Sequence, residues 1–187
     1  MIVGDKSTFA IESEITRAFE RLSWRGLGFF VIHVAGEGFG IKAPGQSMLA
    51  CSLDGVGFRI TSRGTHEASF AEAPAIDIAN AYTSAIYLDN SENKTYFGMS
   101  EAQFTSTLYS NSLVWAPDGD EAFDDGSYVL QFDVGDRVRL VAFRRPDWLV
   151  DPASVREIWL PSDTFYNTLC DWRNAFIAEW ELLPKHD

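Results

Sequence analysis

The chain has 187 residues, 46% of them hydrophobic and 22% charged, with a formal net charge of -12. That balance excludes disordered and fibrous classes, and the length fits a single domain, 1–187, able to bury about 70% of the surface it exposes when unfolded. No apolar run approaches the ~20 residues that cross a bilayer, and Met1 to Lys6 lacks a basic segment followed by an apolar one, which predicts a cytoplasmic protein.

Taken in chain order, Phe9-Ala10-Ile11-Glu12-Ser13-Glu14-Ile15 alternates apolar and polar residues and predicts a strand, with a short helical turn over 16–22. Gly28 to Val34 is rich in β-branched and aromatic residues. It predicts a buried strand with His33 as a satisfied core side chain, and glycines 36, 38 and 40 as a flexible exit. Residues 47–62 fit both periods poorly, and the alternation in Phe58-Arg59-Ile60-Thr61 favours strand. Pro74 followed by Ala75, Ile78, Ala79, Tyr82 and Ile86 predicts a helix with proline in its first turn.

A second helix is predicted from Ser100, where Ser100 and Gln103 have capping-box spacing and Phe104 and Leu108 form an i,i+4 apolar pair. Tyr128, Leu130 and Phe132, a turn at Asp133-Val134-Gly135-Asp136, and Val138, Leu140 and Ala142 predict a hairpin. Val155 to Leu160 predicts one more strand, stopped by Pro161. Ser162 then caps a helix with Phe165, Leu169, Trp172, Phe176 and Trp180 on one face. Strands and helices mix without strict βαβ alternation. The expected fold is therefore α+β: a mainly antiparallel sheet with a C-terminal amphipathic helix packed on it.

The chemistry searched for along the chain is sparse. Nucleophile-elbow, P-loop, zinc-protease and EF-hand patterns are absent, and Gly36-Glu37-Gly38-Phe39-Gly40 has no helix behind it to make a phosphate site. Cys51 and Cys170 form no CxxC and are expected to be buried thiols, while His66-Glu67 reads as a solvated loop pair. Neither metal nor cofactor is predicted, nor is a small-molecule substrate. Glu12 and Glu14, on one strand face, keep open a small carboxylate-dependent hydrolase.

Charge is unevenly placed. Residues 45–136 carry fourteen acidic and three basic groups, a net of -11 out of -12. Such a field repels nucleic acid and anionic membrane and attracts basic proteins. Its densest part holds Asp118, Asp120, Glu121, Asp124 and Asp125, flanked by Trp115 and Phe123. Two readings stay open for it: a solvated loop, or a docking surface on which the carboxylates meet a basic partner and the aromatics anchor it. A general acidic adaptor remains a third possibility for the whole chain.

Met1-Ile2-Val3-Gly4-Asp5, Phe9-Ala10-Ile11-Glu12, Trp24, Gly28-Phe29 and Val31-Ile32, with Asp125-Gly126-Ser127-Tyr128-Val129 and Ile158 ahead of the last helix, resemble the immunity protein 42 family of bacterial polymorphic toxin and contact-dependent growth inhibition systems. Residues 45–120 carry no part of that resemblance. It implies a cytoplasmic α+β antidote, encoded beside a toxin, that binds the toxin's C-terminal domain and has no catalytic residues. Combined with the acidic block, it points to a basic nuclease domain as the partner.

Overall fold

A computed structural model describes residues 1–88, 94–117 and 119–187. The chain opens with a short strand β1 (Ile2–Gly4) paired antiparallel to the long β2 (Phe9–Phe19), which in turn pairs with β3 (Gly26–Val34). The strand β2 runs through the segment expected to turn helical. Ile15 faces Gly28 and Arg17 faces Leu27, so Thr16 is an extra, bulged residue. The bulge shifts the alternation by one position, which is why the period-2 pattern is lost after Ile15. Beyond β3 the chain reverses tightly into β4 (Glu37–Phe39), so the glycines expected to form a flexible exit sit in and beside an ordered hairpin.

After β5 (Ser47–Met48), a two-residue strand on the edge of β3, comes helix α1 (Leu49–Thr61). The strand expected over 47–62 is therefore a helix for most of its length. Leu49, Leu53 and Val56 lie at i, i+4 and i+7 on its buried face. Gly55 and Gly57, poor helix formers, and the β-branched Ile60-Thr61 mask that spacing in the sequence.

The helix α2 (Ala75–Tyr87) starts behind Pro74 and buries Ile78, Ala79 and Tyr82. A small ladder, β6 (Thr95–Tyr96) with β7 (Met99–Ser100), leads into α3 (Glu101–Ser110). The expected capping box is formed: Gln103 N donates to Ser100 Oγ at 3.3 Å, and Ser100 N donates to Gln103 Oε1 at 3.0 Å. Four antiparallel strands make a second sheet: β8 (Val114–Ala116), β9 (Ser127–Val134), β10 (Arg137–Arg144) and β11 (Arg156–Pro161), in the order β11-β10-β9-β8. The expected hairpin β9–β10 is formed, but its turn is shorter than the expected 133–136: Val134 pairs with Arg137 and Asp133 with Val138, which leaves Gly135, at φ +59°, and Asp136 between the strands.

Pro161 rather than Ser162 occupies the N-cap of α4 (Ser162–Leu182), and no side chain caps it. A final β12 (Lys185–His186) pairs parallel to β2.

The second sheet is buried on both faces. Val129, Val138, Leu140 and Ala142 join the first sheet, α1 and α4 in one core, around Trp172, Phe176, Phe165, Phe30 and Ile11. Tyr128, Leu130, Phe132, Val141 and Phe143 face α2 and α3 in another, around Ile78, Tyr82, Phe104 and Leu108.

The polar half of the β9 alternation is thus buried too, and it is satisfied internally. Gln131 donates to the Tyr166 hydroxyl at 2.9 Å and accepts from Arg59 at 3.1 Å, and Arg59 also donates to the Val114 carbonyl at 2.6 Å. Asp133 accepts from Tyr166 and from Gly64 N. One polar network therefore ties α1, β8, β9 and α4 together, where an unpaired buried group would be costly.

Candidate protein-binding interface

Residues 119–126 lead into β9 at one end of the second sheet. Their conformation is fixed from beneath. Asp120 caps a 3-10 turn, Glu121–Phe123: its Oδ1 accepts from Ala122 N at 2.9 Å and its Oδ2 accepts from Ser52 Oγ of α1 at 2.5 Å. Burial pushes the Asp120 carboxyl above its usual range, and Asp124 adds to that, against hydrogen bonds from Ser52 and Ala122 that lower it. Ile41 N donates to the Ala122 carbonyl at 2.7 Å, which ties the loop to the first sheet's connection.

Both aromatics expected to project from this loop lie in the core. Trp115 is 7% exposed, with its ring beside Phe9 and Phe165 and the Arg59 guanidinium 5.3 Å from its centroid. Phe123 is 3% exposed and meets Phe30 edge to face. They hold the loop in place and offer no ring to a partner. Of the expected carboxylates, Glu121, Asp124 and Asp125 are exposed and Asp120 is half-buried. Asp118 lies outside the described residues.

The acidic block as a whole does not make one face. Asp133 is buried, and Asp136 sits at the far end of the β9–β10 hairpin, roughly 24 Å of strand from Asp125. Asp54, Asp77 and Glu101 belong to three different helices, two of which cover the opposite side of the second sheet from the first. Charge summed along a chain takes no account of which side of a sheet the chain is passing.

A second loop, 145–155, leaves the same end of the sheet, because Ser127 of β9 is opposite Arg144 of β10. Arg145 N donates to the Gly126 carbonyl at 2.9 Å, which brings Asp147 and Asp151 to the neighbourhood of Asp125. Asp151 N donates back to the Arg144 carbonyl at 2.9 Å. The arginines here are occupied: Arg144 and Arg156 both pair with Glu37, and Arg145 lies with its guanidinium carbon 3.6 Å from the Tyr87 ring centroid and donates to the Tyr128 hydroxyl. Glu121, Asp124, Asp125 and Asp147 have no ion-pair partner among the described residues. This loop also exposes Trp148 and Leu149. The sequence signal for them is the apolar run Trp148-Leu149-Val150 between Pro146-Asp147 and Asp151-Pro152, of which only Val150 is buried.

The carboxylates that kept a hydrolase open are placed differently from a catalytic pair. Glu12 is 7% exposed and bound by three groups: Lys6 at 2.7 Å, Lys42 at 2.7 Å and His33 at 3.0 Å. Burial pushes its carboxyl up, but the hydrogen bonds from Lys42, Lys6 and His33 outweigh that and hold it at about 2. A general acid needs the opposite shift. Glu14 is exposed on the open strand.

Burial lowers His33, against the hydrogen bond to Glu12 that raises it. His66, expected in a solvated pair, is fully buried, with Nδ1 3.0 Å from the Asn111 carbonyl. Cys51 is exposed and Cys170 half-buried, against the expectation of buried thiols. Among the described residues no helix is long and apolar enough to cross a membrane.

The fold has a counterpart of known structure. The crystal structure of CdiI from Burkholderia dolosa AUO158 superposes with a TM-score of 0.58 at 15% identity, covering 94% of this chain and 99% of that one, a likeness of fold. No curated protein matches the chain. The immunity protein 42 family model matches residues 1–175, which takes in the segment 45–120 that the sequence motifs left unaligned. With that match running from the first strand into the last helix, the chain belongs to the immunity protein 42 family.

Proposed function

We propose that the whole chain, 1–187, acts in the cytoplasm as the immunity protein of a toxin encoded beside it, binding that toxin's basic C-terminal domain, a nuclease, and covering its active site. The observation that carries this reading is membership of the immunity protein 42 family over residues 1–175. Glu121, Asp124 and Asp125 are the contact residues on the acidic loop, with Asp120, Trp115 and Phe123 holding them in position. The exposed carboxylates supply the sign of field that a nucleic-acid-binding cleft on the toxin attracts. No catalysis, cofactor, small-molecule substrate, membrane or direct nucleic-acid contact enters this reading.

An antidote has to outcompete the toxin's own target, which calls for Kd in the nM to pM range, about -12 to -16 kcal/mol. Exposed charges alone do not supply that, but they raise association toward ~10⁸–10⁹ M⁻¹s⁻¹ at low salt. The test is co-purification of the chain with the C-terminal domain of the adjacent toxin, followed by association rates at rising ionic strength. Binding whose association slows steeply with salt supports the reading. Failure to bind that domain removes it, and salt-indifferent association removes its electrostatic part.

A further inference from the structure

Trp148 is 70% exposed and its neighbour Leu149 66%, two large apolar side chains turned to solvent in succession. Single exposed hydrophobics are ordinary, but this pair is presented by an unusual backbone. Trp148 has φ +58°, a conformation that a bulky residue rarely adopts, and Leu149 N donates to the Asp147 carbonyl at 2.6 Å across it, closing a three-residue turn. The loop is anchored on both sides of this tip, by Arg145 N to Gly126 and by Asp151 N to Arg144, and Pro152 stiffens its exit. Strain at a non-glycine residue persists where the surroundings over-determine it, and such residues cluster at functional sites.

Carboxylates outnumber the cations around the tip. Asp147 precedes Trp148, and Asp151 follows Leu149 by two residues. Asp124 and Asp125 stand across the Gly126–Arg145 hydrogen bond. Arg144 and Arg156 share the one carboxylate of Glu37, and Arg145 lies against the Tyr87 and Tyr128 rings with its guanidinium carbon 5.5 Å from the Trp148 centroid.

An apolar centre with a charged rim is the layout of a binding hot spot, in which a buried aromatic sets dissociation and the rim sets encounter. We infer that Trp148 and Leu149 form the apolar anchor of the toxin interface, entering a socket on the toxin domain that is rimmed by lysine and arginine. This rests on the proposed toxin-binding function and replaces Trp115 and Phe123, which are buried, as the aromatic contacts.

The experiment measures association and dissociation rates of the adjacent toxin's C-terminal domain with the full chain and with Trp148→Ala, Leu149→Ala and Leu22→Ala. Leu22, 61% exposed in the β2–β3 hairpin, is the control for an exposed leucine elsewhere. The expected result is dissociation faster by on the order of tenfold to a hundredfold for Trp148→Ala, a smaller acceleration for Leu149→Ala, association within a factor of about three, and no change for Leu22→Ala. Wild-type binding that Trp148→Ala leaves unchanged overturns the anchor while sparing the immunity function. A toxin domain that the wild-type chain does not bind overturns both. Circular dichroism melts of each variant, expected to match the wild type because the side chains are exposed, exclude misfolding as the cause of any loss.

Discussion

The Tyr166 hydroxyl lies 2.9 Å from Asp133 Oδ1 and 3.0 Å from Oδ2, joining the long last helix to the centre of the second sheet where both are buried. Burial, then the neighbouring Asp133 charge, pushes the Tyr166 hydroxyl well above its usual range, so it keeps its proton and donates it to the carboxylate while accepting from Gln131. Tyr166→Phe keeps the ring but leaves the carboxylate with its backbone donors and Gln131. The expected loss is about 1–3 kcal/mol of unfolding free energy, read from the urea midpoint at unchanged slope. A midpoint equal to that of the wild type would mean that water replaces the hydroxyl without cost.

The Glu12 cluster gives the stability a pH dependence whose sign is fixed. Its carboxyl titrates at about 2 in the folded chain, below its ordinary value of 4.5, so the unfolded chain binds more protons between those values. The stabilisation is complete above about 4.5 and lost as pH falls through about 2. At most about 3 kcal/mol is involved, and less in practice, because Lys6 and Lys42 are 41% and 58% exposed and solvent screens them. Glu12→Gln should lower stability at pH 7 and flatten the acid limb in this window. An acid limb as steep as that of the wild type would place the dependence elsewhere.

The residues that the sequence misplaced share a cause. The hairpin β9–β10, the capping box at Ser100 and the face of α4 are local patterns, each written in a window of fewer than about twenty residues. Thr16 and α1 were misread because one bulged residue and two glycines disturb a local period that tertiary packing restores. Trp115 and Phe123 were misassigned for a different reason. Composition cannot tell an aromatic that anchors a partner from one that anchors its own loop, and Ser52, Phe30 and Phe165, which settle it, lie far off in sequence. The grouping of Asp125 with Asp147 and Asp151 depends on strand register and had no sequence signal at all.

That grouping separates two kinds of charge variant. Asp124→Lys with Asp125→Lys alters exposed carboxylates and should slow toxin association at least tenfold at low salt, with the thermal midpoint held. Asp120→Lys would instead break the bonds to Ser52 and Ala122, so it tests folding rather than docking. Asp120→Asn keeps an acceptor for Ala122 N and offers its amide to Ser52 Oγ. Since the carboxyl is raised in the folded chain, its charged form opposes folding once pH rises past its usual range. The Asn variant should therefore cost less than about 1 kcal/mol at pH 7 and gain relative to the wild type as pH rises from 4 to 7. An association rate that Asp120→Asn slows as much as the double lysine variant does would assign Asp120 to the contact surface.

Trp148 offers a test in which stability and binding move in different directions. A left-handed conformation costs a bulky residue about 1–2 kcal/mol, and glycine removes that cost while adding about 0.5–1 kcal/mol of chain entropy on unfolding. The ring contributes little to the fold in return: it is exposed, and its contact is a guanidinium carbon 5.5 Å from its centroid on Arg145, which keeps Tyr87 and Tyr128 without it. Trp148→Gly should hold or raise the urea midpoint, by up to about 1 kcal/mol, while it accelerates toxin release as Trp148→Ala does. A residue retained for packing would show the reverse, a lower midpoint with binding intact, and that outcome would make the exposed tryptophan a part of the loop's own structure.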